Sequence, residues 1–231
     1  MSFFTRALAA SALLVACFLS VTVHAGGIVL GGTRIIYPAG QKEASISVRN
    51  TSSASRFMVQ SWAENQHGNK TSDFIVTPPL YVSNPGSENT LRLMYAGPTL
   101  PTDRESLYYL TSKAIPAVDK AEISGKNVLM LSASTRIKLF VRPSGLKPSP
   151  AEAPSQLKVS RSGAQLVIRN PTPYYITITQ IKAGNKAVKK TVMTPPFGTA
   201  SLTLPSGGAG TLSFRTINDF GGITDEQIRH F

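Results

Sequence analysis

Few residues in this chain could perform covalent or proton-transfer chemistry. It has 231 residues, with three His and one Cys. His24 and Cys17 fall in an apolar leader, which leaves His67 and His230. His67 sits in a polar turn, His67-Gly68-Asn69, and His230 is next to the end of the chain. No Gly-x-Ser-x-Gly nucleophile elbow, His-Glu-x-x-His zinc helix or Gly-Lys-Ser/Thr phosphate loop occurs. A single cysteine rules out an intrachain disulfide and a cysteine-rich zinc site. A hydrolase using two carboxylates needs both in one cleft. The 12 Asp+Glu residues lie largely in turn-like segments. The chain therefore reads as a non-enzyme that calls for no metal and no cofactor.

What is left to do chemistry is charge and apolar surface. Lys+Arg is 24 against 12 Asp+Glu, a formal net charge of +12. An excess of this kind can address nucleic acid, but no basic run with interleaved aromatics is present. The densest patch, Lys182, Lys186, Lys189 and Lys190, reads as a solvated hairpin face. No nucleic-acid partner is expected.

The first 25 residues read as an export signal. Arg6 supplies the basic start, Leu8 to Leu19 the apolar run, and Val23-His24-Ala25 a cleavage site. The run is short of the ~20 residues a spanning helix requires. Leu14-Val15-Ala16-Cys17 resembles a lipidation box, but apolar residues continue past it. Cleavage after Ala25 leaves a mature chain without cysteine, in an oxidising compartment.

The elements that must position any site are strands. Ala44, Ile46 and Val48 alternate with Ser45, Ser47 and Arg49. Phe57–Trp62, Thr90–Met94, Ile137–Val141, Gln165–Ile168, Tyr174–Ile178, Ser201–Leu204 and Thr211–Phe214 carry strand formers or the same period of two. Turn clusters separate them: Pro38-Ala39-Gly40, His67-Gly68-Asn69, Asn84-Pro85-Gly86, Lys182–Asn185 and Pro205–Gly208. No stretch of a dozen residues has a helical period. The apolar fraction, 42% with 16% charged, is enough for real cores. The fold class is all-β, built as antiparallel sandwiches. Between Arg142 and Pro154 four prolines interrupt any ladder. The expected domains are 26–143 and 151–231, with a linker over 144–150.

Seven segments, spread over nearly the whole mature chain, carry a family likeness. They are Thr33-Arg34-Ile35-Ile36-Tyr37, Thr77-Pro78-Pro79, Asp103-Arg104-Glu105-Ser106-Leu107-Tyr108-Tyr109, Ala114-Ile115-Pro116, Arg136-Ile137-Lys138-Leu139-Phe140-Val141-Arg142-Pro143, Asn170-Pro171-Thr172-Pro173-Tyr174-Tyr175 and Ile217-Asn218-Asp219-Phe220-Gly221-Gly222. In this order the set resembles the periplasmic pilus chaperones, the PapD-like proteins of the chaperone–usher pathway. The resemblance implies two immunoglobulin-like domains set as a boomerang. It implies a periplasmic chaperone that captures pilus subunits and delivers them to an outer-membrane usher. The subunits are incomplete sandwiches, and the chaperone lends them a strand, a form of β-augmentation for which this pairing is a standing example.

The resemblance also assigns residues. The donor strand corresponds to Asn127–Ile137. With side chains alternating between faces, Leu129, Leu131, Ala133 and Ile137 share one face with Thr135, and Val128 and Met130 share the other. Arg34 and Lys138 correspond to the cationic pair that holds the subunit's terminal carboxylate. Arg offers a planar fork and Lys a mobile point charge. Glu105, Arg142 and Asp219 correspond to a charged network between the domains that sets their angle. The short segment Ala117–Lys126 resembles the short-loop subclass. An exposed donor edge leaves open whether the free protein covers it by self-association.

Two other classes fit an exported all-β chain. A pilus subunit would need an alternating N-terminal extension and usually two cysteines, and Gly26–Gly32 is short and glycine-rich. A carbohydrate-binding module would need exposed aromatics, and the single Trp, Trp62, is expected in a strand and in the core.

Overall fold

A computed structural model describes residues 26–118, 125, 127–204 and 210–230. The leader of residues 1–25, most of the 117–126 segment and the turn at Pro205–Gly208 lie outside the described residues. The period-two segments become strands because each alternates a side chain for the core with one for water. The first nine strands are β1 (Ile28–Leu30), β2 (Arg34–Pro38), β3 (Ala44–Asn50), β4 (Phe57–Asn65), β5 (Phe74–Thr77), β6 (Leu80–Ser83), β7 (Glu88–Tyr95), β8 (Ser106–Pro116) and β9 (Ala133–Arg142). They form two sheets, ordered β1-β3-β7-β5 and β2-β9-β8-β4-β6. Their facing sides enclose one core, which includes Val48, Leu91, Leu93, Leu110 and Leu139, all at 0% exposure.

The second sandwich follows a 3₁₀ turn, Ala153–Gln156. It holds β10 (Lys158–Ser162), β11 (Gln165–Arg169), β12 (Ile176–Ala183), β13 (Lys186–Val188), β14 (Val192–Thr194), β15 (Thr199–Thr203), β16 (Thr211–Thr216) and β17 (Gln227–His230). One sheet runs β10-β11-β15. The other runs β13-β12-β16-β17, with β14 also on β12. Leu166, Ile168, Ile178, Leu212 and Phe214 lie at the centre of a separate core. The proline-rich connection is tied down, since Tyr174 Oη donates to Pro148 O at 2.9 Å.

Two expectations are corrected here. Trp62 does not enter the core. Its partly exposed indole lies on the outer face of its sheet, donates to Glu64 Oε1 at 2.9 Å and carries Lys70 Nζ 4.4 Å above the ring. Its neighbours Ser61 and Ala63 point inward instead. The strand expected over Asn127–Ile137 begins only at Ala133, because the β8 partner ladder ends at the Ala114–Ala133 pair. Without a neighbour to bond, residues 127–132 make no ladder.

Candidate functional site

The site starts from one register. β2 pairs in parallel with β9, and Arg34 stands opposite Lys138. Parallel neighbours point the same way, so both cations leave the same face of the sheet, toward the second sandwich. There the two side chains find different acceptors. Arg34 Nη1 donates to Ile217 O at 3.0 Å. Lys138 Nζ donates to Thr177 Oγ1 at 2.9 Å. The two acceptor residues are themselves joined, Ile217 N donating to Thr177 O at 3.1 Å.

Two cations brought together out of water are costly, and the proton affinities reflect this. Burial, then the charge of Arg34, lowers Lys138 to about 8. Burial likewise lowers Arg34, against the pull of Asp219 and Glu105. Arg34 Nε is buried with no hydrogen-bond partner among the described residues. A buried cationic donor in need of an acceptor, with an amine beside it, has the chemistry to accept a carboxylate.

Glu105, Arg142 and Asp219 also meet. Arg142 donates through Nε to Glu105 Oε1 at 2.7 Å. Its two terminal nitrogens take both Asp219 oxygens, at 2.6 and 2.7 Å. The other Glu105 oxygen accepts Tyr175 N at 2.8 Å. Glu105 is 3% exposed, and burial raises its pKa against the opposing pull of Arg142. Burial would lower Arg142, yet its bonds to Asp219 and Glu105 raise it above its ordinary value. These bonds join the residue before β8, the end of β9 and the turn after β16 in one network. Beside it the rings of Phe140 and Tyr175 stack across the boundary, 5.6 Å between centroids.

The apolar segment before β9 divides in two. Leu129 is 83% and Leu131 72% exposed, and Ala133 is exposed as well. Ile137 is 7% exposed and packs in the N-terminal core. It is therefore not available to a partner, which corrects its place among the donor residues. The reason is the same alternation that grouped the four. Leu131, Ala133 and Thr135 line a cavity of about 200 Å³ with Ile28, Phe57 and Ala114. Following that face along β9 leads from outside the sandwich to its interior at Ile137.

Arg34 with Lys138, and Glu105 with Arg142 and Asp219, are thus brought together, while Ile137 is separated from Leu129 and Leu131. Sequence reasoning missed Thr177 and the Ile217 carbonyl, the acceptors that hold the two cations. Thr177 occupies a buried strand position, and no local signal separates it from any other strand threonine. Phe140 and Tyr175 stood inside the quoted segments, but their stacking needs the two domains in place.

Comparison with known proteins finds matches over both domains. Residues 27–147 match the PapD N-terminal domain of pili and flagellar-assembly chaperones. Residues 152–228 match the C-terminal domain of the pili assembly chaperone PapD. The chain is 48% identical over 207 residues to a probable fimbrial chaperone of Escherichia coli K12, SfmC, covering 89% of this chain and 90% of that one. It is 43% identical to the chaperone protein FimC of the same strain, over 87% of this chain and 83% of FimC. Among solved structures, the periplasmic chaperone SfaE superposes with a TM-score of 0.76 at 41% identity, over 87% of this chain and 98% of SfaE. The SafB chaperone in its Salmonella enterica complex with SafA pilin gives a TM-score of 0.82 at 30% identity, covering 91% and 99%.

Proposed function

The chain belongs to the PapD-type pili assembly chaperone family, and on that footing we propose that it is a periplasmic chaperone that captures pilus subunits by strand donation. The observation that carries this reading is the free edge of β9. β2 pairs with β9 only from Lys138 onward, and β8 occupies the opposite edge. The edge ahead of Lys138 has no partner among the described residues, and Leu129, Leu131 and Ala133 stand exposed along it. A subunit strand that fills this edge lies in line with β2. The two cations at its inner end set its direction. They attract a terminal carboxylate and repel a terminal amine, so the added strand runs parallel to β9. Fixing that end also fixes register, and a slip of one residue would turn every side chain to the wrong face. Each large aliphatic side chain buried in the subunit contributes roughly 1.5–3 kcal/mol, less the cost of ordering the ribbon.

The loaded chaperone passes its subunit to an outer-membrane usher. The Glu105–Arg142–Asp219 network sets the angle at which the second domain meets the client. The test is co-expression with a candidate subunit in the bacterial periplasm. A one-to-one complex is expected from the wild-type chain, and none from Arg34→Ala or Lys138→Ala, both of which fold normally. Full capture by both variants removes the anchor.

A further inference from the structure

A third cation sits on β9, two residues before Lys138. Side chains two apart along a strand share a face, so Arg136 leaves the sheet on the same side as Lys138. Ile137 between them is buried and points the other way. A strand that slips by one residue turns its side chains to the wrong face, but a slip of two keeps each on its own face. Alternation therefore cannot tell a client that ends at Lys138 from one that ends at Arg136. A guanidinium is also a good fork for a carboxylate. Left free, Arg136 would be a second anchor, one pleat short of the first.

It is not left free. Arg136 stands opposite Thr111 on β8, and its guanidinium lies 3.7 Å from the centre of the Tyr109 ring on the same strand. Its Nε donates to Glu64 Oε2 on β4 at 2.8 Å. The strand order β9-β8-β4 makes this a reach across two strands, away from the open edge. Glu64 is 9% exposed and is held from other sides. Its Oε1 accepts Trp62 Nε1 at 2.9 Å and Thr111 Oγ1 at 2.8 Å. The turn at Gly68 closes over the guanidinium, since a Cβ added there would lie 3.1 Å from Arg136 Nη2. Arg34 and Lys138, by contrast, donate to the neutral oxygens of Ile217 and Thr177.

We propose that Glu64 sets the client's register. By drawing Arg136 off the edge it leaves Arg34 and Lys138 as the place where a terminal carboxylate settles. The inference rests on the capture reading and adds the residue that excludes the two-residue slip. Selectivity here comes from disabling the competing anchor, not from strengthening the right one. Trp62 and Thr111 hold the carboxylate in position for that task.

The test uses the mature full-length protein with Ser134→Cys, an exposed position on β9, and synthetic peptides of alternating apolar residues. Each peptide carries one cysteine, four or two places before its C-terminal residue. A peptide parallel to β9 with its end level with Lys138 brings the four-place cysteine beside position 134. With its end level with Arg136 it brings the two-place cysteine there. Disulfide trapping thus reads the ratio of the two registers. With Ser134→Cys alone, the four-place peptide is expected to be favoured by about tenfold or more. Glu64→Gln keeps an oxygen for Trp62 and Thr111 but frees Arg136, and should bring the ratio near unity. Glu64→Gln with Arg136→Gln should restore it, which a merely structural role for the carboxylate would not allow. Peptides ending in an amide should show no dependence on Glu64. If Glu64→Gln leaves the ratio unchanged, or the double variant fails to restore it, the register role is overturned and the capture reading stands. If the Ser134→Cys protein traps acid and amide peptides alike, the anchor fails and the role of Glu64 with it.

Discussion

Lys138 shows how one amine can report on the client. Its pKa is lowered to about 8, by burial first and by Arg34 second. A carboxylate placed between the two cations favours the charged amine, so the complex holds its proton more tightly than the free chaperone does. Capture therefore takes up protons and weakens as pH rises through about 8. The free protein follows the opposite sign. Between about 8 and the ordinary lysine value the unfolded chain binds more protons, so this group makes folding more favourable as pH rises. Subunit affinity measured by titration calorimetry from about pH 7 to about pH 9 should fall. Lys138→Met should bind weakly and with a flat profile. Thr177 is the acceptor that holds the amine. Thr177→Val should weaken capture and move the midpoint of the profile to lower pH, with Thr177→Ser restoring both. A merely structural role for the threonine would leave that midpoint in place.

On the scale of the strand, β9 and the segment that leads into it have two fates along one face. Ile137 closes the chain's own core, whereas Leu129 and Leu131 stand in water. Substitutions a few residues apart should therefore fail in different assays. Leu129→Asp with Leu131→Asp should abolish subunit binding at unchanged thermal stability. Ile137→Ala should cost the free protein about 2–5 kcal/mol, as large-to-small changes in a packed core do, read from denaturant unfolding. The difference between these residues was not legible in the sequence. Alternation groups all four and says nothing of where the sandwich ends along them. Strands with one wet face, such as β3, β11 and β16, were legible because their exposed and buried positions alternate cleanly. β8 was less so. Leu107 lies beside Phe140, and Thr111 is hydrogen-bonded beneath Glu64, so both faces are covered and the period of two is blurred. β13, β14 and β17, at three or four residues each, are too short to show a period. The cationic pair and the charged network were reached by family likeness; the pair depends on a parallel β2–β9 pairing that joins residues about a hundred positions apart, and the network on contacts between the two domains.

For the molecule as a whole, the Glu105–Arg142–Asp219 network couples two sandwiches that have separate cores. Glu105 is the vulnerable member, because it is almost wholly buried and bonded to both domains. Arg142→Ala leaves its carboxylate buried without a countercharge. Breaking a buried pair in this way costs about 3–5 kcal/mol. The loss falls on the junction, so the two cores should also melt less cooperatively, and calorimetry should separate one transition into two. The pH dependence distinguishes this electrostatic cause from lost packing. The folded pKa of Glu105 is already raised by burial, and removing Arg142 raises it further. Across the window from the ordinary carboxylate value up to that raised value, the folded state binds more protons than the unfolded state. The variant should therefore regain stability relative to wild type as pH is lowered from about 7 to about 5. Glu105→Gln combined with Arg142→Ala should remove that pH dependence and much of the cost, because a neutral amide needs no countercharge. If the deficit of Arg142→Ala is the same at both pH values, the arginine acts at the junction through packing, and charge does not hold the domains at their angle.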